Sequence, residues 1–443
     1  MDNQTIYALS TVYGKSGVAV IRISGDNALE VITRMTDIDA ASIKPRYAYF
    51  ADIKNPAGAL LDKSLALYFK APHSFTGEDI VELQIHGAKS VISSVMEALS
   101  SLPGFRLAEP GEFSKRAFYN NKMDLTEAEG LADLIDSETS EQQKYALRQM
   151  EGGLKGLYDG WRENLLKVMA HLEAYIDFPD EELPADIIDN LQNTVFKVRE
   201  DINRHLKADN IGERLRDGFR VVIVGEPNAG KSSLLNAIAK REAVIVSDIA
   251  GTTRDAIDIH LDINGYPVIF TDTAGLRSTN EIIEQKGIEL AYSKAKDADI
   301  VICLFDGLKN IPQEFENISE NKKIYVANKA DKLKEEQKLA LHHKGCLLIS
   351  AKQNQGIDIL LQAISSKIKD KFTAASGTLI TRQRYREALR NTVNYLQEFN
   401  FNKEIELSAE DIRLGIREIG KITGRIEVDE ILDKIFGSFC IGK

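Results

Sequence analysis

The residues with the most specific chemistry lie in the run VVIVGEPNAGKSS, where Gly225, Gly230, Lys231 and Ser232 satisfy the spacing G-x-x-x-x-G-K-S. That spacing captures phosphate. Glycines let backbone N–H groups approach phosphate oxygens, the start of a helix adds positive potential, Lys231 neutralises charge and Ser232 ligates magnesium. Asn228, Ala229 and Ser233 complete the loop, and the apolar strand before it and helical SLLNAIA after it set it apart from a mere glycine-rich turn.

Three further motifs follow in order, each closing an apolar run. PVIFTDTAG carries Asp272, Thr273, Ala274 and Gly275, and a carboxylate at this strand end can hold the magnesium shell. IYVANKAD ends on Asn328, Lys329 and Asp331, and CLLISAK on Ser350, Ala351 and Lys352. A carboxylate at Asp331 can accept hydrogen bonds from the ring N–H and exocyclic amine of guanine, a pairing adenine cannot offer. The four motifs together specify a guanine-nucleotide hydrolase, with GTP and magnesium bound. Between the phosphate loop and Asp272 lies Ser247, Asp248, Ile249, Ala250, Gly251, Thr252 and Thr253, where a mobile switch belongs. Thr253 is a natural magnesium ligand whose contact would be lost after hydrolysis.

These groups need a mostly parallel sheet to hold them. From Arg220 to Lys369, apolar strands alternate with helices, the pattern of an α/β domain. Asn264-Gly265 marks a hairpin just before the Asp272 strand. Up to about Asn121, β-rich runs such as GVAVIRISG and DIVELQIHG mix with helical stretches, an α+β pattern. From Met123 to about Lys207 and again after Thr378 the chain is helical; Ser408 with Asp411 looks like a capping box opening an amphipathic helix through Ile412, Ile416 and Ile419. The fold class is therefore α/β and α+β multidomain, with an α/β domain inserted into a helical one.

Composition narrows the classes. At 443 residues the chain is long enough for two or three domains, and its 43% hydrophobic and 28% charged residues are ordinary for a globular protein. No run of about 18 apolar residues and no leader pattern stand out, so a cytoplasmic protein without a membrane span is expected. Cys303, Cys346 and Cys440 are too few and scattered for a zinc site or disulfide framework, and the first two lie in apolar runs as core thiols. A net charge of −11 argues against nonspecific coating of nucleic acid and leaves room for a focused RNA site. The segment TRQRYREALR, Thr381 to Arg390, surrounds Tyr385 with cations; its plain reading is a solvated helix face.

Taken together, GEPNAGKS, IAGTTRD, DTAGLR, NKAD and the terminal FCIGK resemble the tRNA-modification GTPase family, often written MnmE or TrmE. SFTGEDIVELQIHG, PGEFSKRAFYNNKMDLTEAE and IDFPDEE extend the resemblance over essentially the whole chain. It implies an N-terminal folate-binding α+β domain (1–121) that dimerises, a helical domain in two parts (122–217 and 373–443) and an inserted Ras-like P-loop G domain (218–372). The implied activity is modification of the wobble uridine of tRNA at carbon 5 with an aminomethyl or carboxymethylaminomethyl-type group. An FAD-dependent partner protein would complete a heterotetramer. The one-carbon unit would come from a 5-formyl- or methylene-tetrahydrofolate. By the same resemblance, Arg22, Glu82, Lys122 and Lys443 contact the folate, although their residue types alone would read as surface ion-pair members. Cys440 is a candidate for the transfer chemistry, since a thiolate can be a nucleophile, and equally a small residue at a helix end.

For hydrolysis, Leu276 stands where Ras-like enzymes carry a water-orienting glutamine. In the family pattern that work falls to Glu284, and Asn228, Ser247, Ile249 and Thr252 hold potassium; Ser247 replaces a commoner threonine. Two other classes stay open at this stage: a regulatory or ribosome-assembly GTPase without one-carbon chemistry, and a nucleotide-controlled dimerisation scaffold. Only the flanking residues, FCIGK with Arg22, Glu82 and Lys122, separate them.

Overall fold

The computed structural model describes residues 4–178, 185–207, 210–241, 258–271, 294–374, 378–426 and 429–442. Two compact units emerge, Met1–Ala132 with Gly420–Lys443, and Asp133–Ile419.

In the first unit, β1 (Thr5–Leu9), β2 (Ser16–Ser24), β3 (Ala48–Lys54), β4 (Leu60–Phe69), β5 (Ile80–Gly87) and β6 (Phe105–Leu107) form one sheet in the order β3-β4-β5-β2-β1-β6. Neighbours pair antiparallel except β1 with β6. Ile21 and Ile23 of β2 and Leu83 and Ile85 of β5 enter the core with α1 (Glu30–Met35) and α2 (Lys89–Ser100) residues such as Val31, Val95 and Leu99. Because side chains alternate along a strand, Arg22 and Glu82, which pair across β2 and β5, fall on the opposite face. Then come α3 (Glu112–Tyr119), α4 (Leu125–Ile135) and, from the far end of the chain, α14 (Asp429–Gly437). Leu432, Ile435 and Phe436 of α14 pack on Leu125 and Ala128. Gly111, at φ 65°, is pressed so close that a β-carbon would lie 2.4 Å from the Phe436 carbonyl oxygen.

The second unit holds the second sheet, β7 (Phe219–Val224), β8 (Asp258–Ile263), β9 (Tyr266–Thr271), β10 (Ile300–Asp306), β11 (Lys323–Asn328) and β12 (Leu347–Leu348), ordered β12-β11-β10-β7-β9-β8. All pairs are parallel except the β8–β9 hairpin. Its turn is Asn264-Gly265, both at positive φ (52° and 89°), the backbone that a two-residue hairpin of this twist requires. Central strands are apolar on both sides because both faces are covered. Val221 and Ile223 meet α9 (Lys231–Arg241) and α11 (Ile357–Ala374), whereas Val222, Val224 and Cys303 share a cluster with Phe315, in the 3-10 turn Gln313–Asn317, and with Leu341 of α10 (Glu335–His343). Burial pushes the Cys303 thiol up to about 12 and raises that of Cys346, so both are inert core groups.

Around this domain lie α5 (Ser140–Met150), α6 (Gly153–Asp177), α7 (Ala185–Lys207), α8 (Ile211–Asp217), α12 (Gln383–Glu398) and α13 (Ile405–Thr423). The segments by which the chain enters and leaves the sheet run side by side. Arg216 donates to the Thr381 carbonyl at 2.8 Å, and a β-carbon on Gly212 would meet the Ile380 carbonyl oxygen at 2.3 Å. Thr139 and Gln142 form a capping box at the start of α5, where Glu141 N–H reaches the carbonyl of hairpin residue Gly265 at 3.1 Å.

Two expectations are corrected here. Ser408 does not open its helix, because α13 begins at Ile405; the buried Ser408 hydroxyl instead donates to the Asn400 carbonyl at 2.6 Å, and Asp411 pairs with Lys403. Nor is Thr381–Arg390 a solvated basic face. Tyr385 is fully buried, Arg386 is buried against Glu213 at 3.4 Å, and Arg382 pairs with Asp133 at 2.5 Å. These cations join helices together.

Candidate functional site

The phosphate loop connects β7 to α9, and its glycines are fixed by what surrounds them. A β-carbon on Gly225 would lie 2.0 Å from the Leu304 carbonyl oxygen, and one on Gly230, at φ 100°, would lie 2.3 Å from the Asn328 amide nitrogen. Asn228 takes the left-handed conformation at φ 63°, which asparagine tolerates. The Lys231 ammonium donates to the Gly225 and Glu226 carbonyls at 2.7 and 3.1 Å, spanning the loop. Ser232 and Ser233 follow in the first turn of α9, where amide N–H groups have no helical acceptor and the helix dipole is positive. Loop and helix start thus suit a polyphosphate. Ser232 could hold magnesium.

The loops carrying Asn328, Lys329 and Asp331, and Ser350, Ala351 and Lys352, are built on the ends of β11 and β12. Asn328, buried, has its side-chain amide donating to the Ala229 carbonyl at 2.8 Å, while its oxygen accepts from the backbone N–H of Lys329 (2.8 Å) and Ala351 (3.1 Å). Lys329 sits at φ 64° and reaches Asp306 at 2.7 Å. Burial raises the Asp306 carboxyl, but Lys329 and the Leu308 N–H outweigh it and hold it below the usual carboxylate range. The Ser350 hydroxyl donates to the Asp331 carboxylate at 2.6 Å and lowers its pKa, leaving a charged acceptor that is exposed. Ala351 and Lys352 continue from it. Ser247 to Thr253, Asp272 to Gly275, Leu276 and Glu284 lie outside the described residues, as does Lys443.

Sequence reasoning passed over Asp306, which anchors Lys329, and Glu226, which pairs with Lys309 at 2.8 Å. Asp306 ends an apolar strand as Asp272 follows one, and that shared position was the available signal.

A second cluster occupies the first unit. Arg22 pairs with Glu82 at 2.9 Å, and its guanidinium lies 5.3 Å from the Phe75 ring centroid and 5.8 Å from that of Phe113. Lys122 donates to the Pro72 carbonyl at 2.9 Å, so the 72–75 segment lies between Lys122 and Arg22. The C-terminal tail reaches this sheet too. Ile441 bridges to Pro110, Gly442 accepts from the Ser10 hydroxyl at 3.0 Å, and a β-carbon on Gly442 would lie 2.2 Å from the Leu9 carbonyl oxygen. Leu9 adjoins Ala8, the register partner of Arg22. Cys440 is exposed just before that contact.

Beside these residues a buried ion network went unread in the sequence. Arg116 bonds Glu78 at 3.0 Å and Glu112 at 3.1 Å, and Arg106 bonds Glu112 at 2.6 Å. The i, i+4 spacing of Glu112 and Arg116 on α3 was its one local sign.

Comparison with known proteins covers nearly the whole chain. The family model described as GTP-binding protein TrmE N-terminus matches residues 5–122, and the MnmE helical domain model matches 125–440. A protein named tRNA modification GTPase MnmE from Paramagnetospirillum magneticum is 45% identical over 443 residues, covering all of both chains. The chain belongs to the MnmE family of tRNA-modification GTPases. Another MnmE, from Parvibaculum lavamentivorans, is 47% identical over 99% of this chain and all of its own. The solved G domain of the Thermotoga maritima FeoB iron transporter is 22% identical, covering 35% of this chain and 98% of that one, at a TM-score of 0.25. As a member of this family, the chain is a GTP hydrolase acting in tRNA modification. Among the described residues, no helix is long and apolar enough to cross a membrane.

Proposed function

We propose that this GTPase installs an aminomethyl or carboxymethylaminomethyl-type group at carbon 5 of the wobble uridine of tRNA, in the cytoplasm, with an FAD-dependent partner protein in a heterotetramer. The chain dimerises through its N-terminal domain. GTP is held by the phosphate loop, by Ser247–Thr253 and Asp272–Gly275, and by Asn328, Lys329, Asp331 and Ser350–Lys352. Ser232 and Thr253 ligate magnesium, Asn228 with Ser247, Ile249 and Thr252 binds potassium, and Glu284 orients the attacking water. A tetrahydrofolate derivative, when bound, supplies the one-carbon unit.

The observation that carries this reading is the Arg22–Glu82 pair set against Phe75 and Phe113. A carboxylate and a guanidinium beside two aromatic rings match a pterin, which is planar and edged with donors and acceptors. Lys122 and Lys443 supply charge for the folate carboxylates. Cys440, exposed on a tail whose Gly442 accepts from Ser10, would serve the transfer chemistry. Calorimetric titration with 5-formyltetrahydrofolate tests the assignment. Wild type should bind with one site per chain and Arg22→Ala should lose at least tenfold in affinity, about 1.4 kcal/mol. Absence of binding by wild type would favour a GTPase whose flanking domains carry no one-carbon chemistry.

A further inference from the structure

The open end of the β3–β4 hairpin gathers cations and aromatic rings. Arg46 N–H bonds the Tyr68 carbonyl at 2.7 Å, and the Arg46 guanidinium donates to the His73 carbonyl at 2.9 Å, so the chain leading into β3 lies against the chain leaving β4. Between them is an open concavity of about 400 Å³ lined by Pro45, Arg46, Lys70, Ala71 and His73. Lys44, Arg46, Lys70 and His73 are all exposed, and among the described residues none of the three permanent cations has a carboxylate partner. The nearby carboxylates are engaged with backbone: Asp79 accepts from Ala71 N–H at 2.8 Å, and Asp39 from Ala41 N–H at 3.0 Å.

Next to the cations, Tyr47 is 58% exposed and its ring packs on Tyr49 with centroids 4.8 Å apart. Tyr49 is fixed in turn, its hydroxyl accepting from Lys44 N–H at 2.8 Å. An exposed, braced ring beside cations that have no carboxylate partner among the described residues is costly surface on a chain of net charge −11, and it matches a ligand with both phosphates and flat bases. A small folate-tail polycarboxylate would use the cations and leave the ring without a role.

We propose that this end of the hairpin receives a single-stranded RNA loop, with Lys44, Arg46 and Lys70 on phosphates and Tyr47 stacked on a base. The proposal rests on the tRNA reading above. It gives the N-terminal unit its own contact with the substrate. The Lys122 amine bonds Pro72, which adjoins Ala71 and His73, so an RNA held here would border the candidate folate residues.

Binding of the full chain to an unmodified anticodon stem-loop RNA, followed by fluorescence anisotropy across a salt series, provides the test. A Lys44→Gln/Lys70→Gln protein should bind more weakly, with the log–log salt slope reduced by about 1.4 for two lost phosphate contacts. Tyr47→Ala should lose roughly tenfold while keeping the slope, because stacking releases no counterions. Both variants should hydrolyse GTP at the wild-type rate and melt at the wild-type temperature. Wild-type affinity and slope in both variants would overturn the proposal. So would a loss confined to a pteroyl-polyglutamate probe with RNA binding intact. If wild type binds no RNA, the proposal also falls, and wobble nucleosides from cells lacking the protein then decide separately whether the tRNA reading falls with it.

Discussion

The side-chain amide of Asn328 donates to the carbonyl of Ala229 across 2.8 Å, tying the loop after β11 to the loop after β7 over 99 residues of sequence. One buried side chain thereby sets the distance between the two loops. Asn328→Ala would remove this bond and strip acceptors from the N–H groups of Lys329 and Ala351. The variant should lose about 2–3 kcal/mol of stability and bind GTP more weakly at both ends of the nucleotide. Urea unfolding with and without GDP checks this; an unchanged midpoint would deny the tether.

Asp331→Asn should change which base is accepted. The ring N–H of guanine would no longer meet a carboxylate, whereas the corresponding xanthine carbonyl could accept from the new amide. Competition between GTP and xanthosine triphosphate reads the outcome, and unchanged discrimination would remove Asp331 as the base reader.

Potassium dependence can be approached without disturbing the fold. Because Asn228 stands at φ 63°, Asn228→Gly permits the same backbone shape and deletes the side chain with its oxygen. Hydrolysis by wild type should be faster in potassium than in sodium at equal ionic strength, and the variant should lose that difference while retaining nucleotide affinity. Equal wild-type rates in both salts would reopen the search for a cation supplied by a partner.

Glu112 gives unit one a pH signature. Burial raises its carboxyl, but Arg106, the Glu109 N–H and Arg116 outweigh burial and leave it below the ordinary 4.5. A carboxylate lowered on folding contributes stability that is fully present above that value and is lost as pH falls through the folded value. Glu112→Gln, which leaves Arg116 buried with one partner fewer, should cost about 3 kcal/mol at neutral pH. The gap between variant and wild type should narrow below pH 4.5. Hydrogen exchange across α3 and β1 follows it; a gap independent of pH would contradict the ionised pair.

How much was legible in the sequence depended on how local the cause was. The β7–α9 phosphate loop, the Asn264-Gly265 hairpin and the loops carrying Asp331 and Ser350 announce themselves, because turn chemistry and strand-end motifs act within a few residues. Ser408 misled because a buried hydroxyl can satisfy itself on Asn400 from inside a helix, and its S-x-x-D spacing cannot reveal that. Arg382 and Arg386 were misread for a related reason: their partners Asp133 and Glu213 are 249 and 173 residues away. The Arg22–Glu82 pairing was equally invisible to spacing, since sheet register alone brings the two together across 60 residues. Whole-chain resemblance supplied what local reading could not.

Most direct of all is mass analysis of wobble nucleosides in tRNA from cells lacking this protein, with wild type, Arg22→Ala and Cys440→Ser returned in turn. Loss of the carbon-5 group without the protein, restoration by wild type and failure to restore by Arg22→Ala are predicted, with Cys440→Ser reduced in modification though normal in GTP hydrolysis. Fully modified wobble uridine in cells without the protein would contradict its assignment to this reaction.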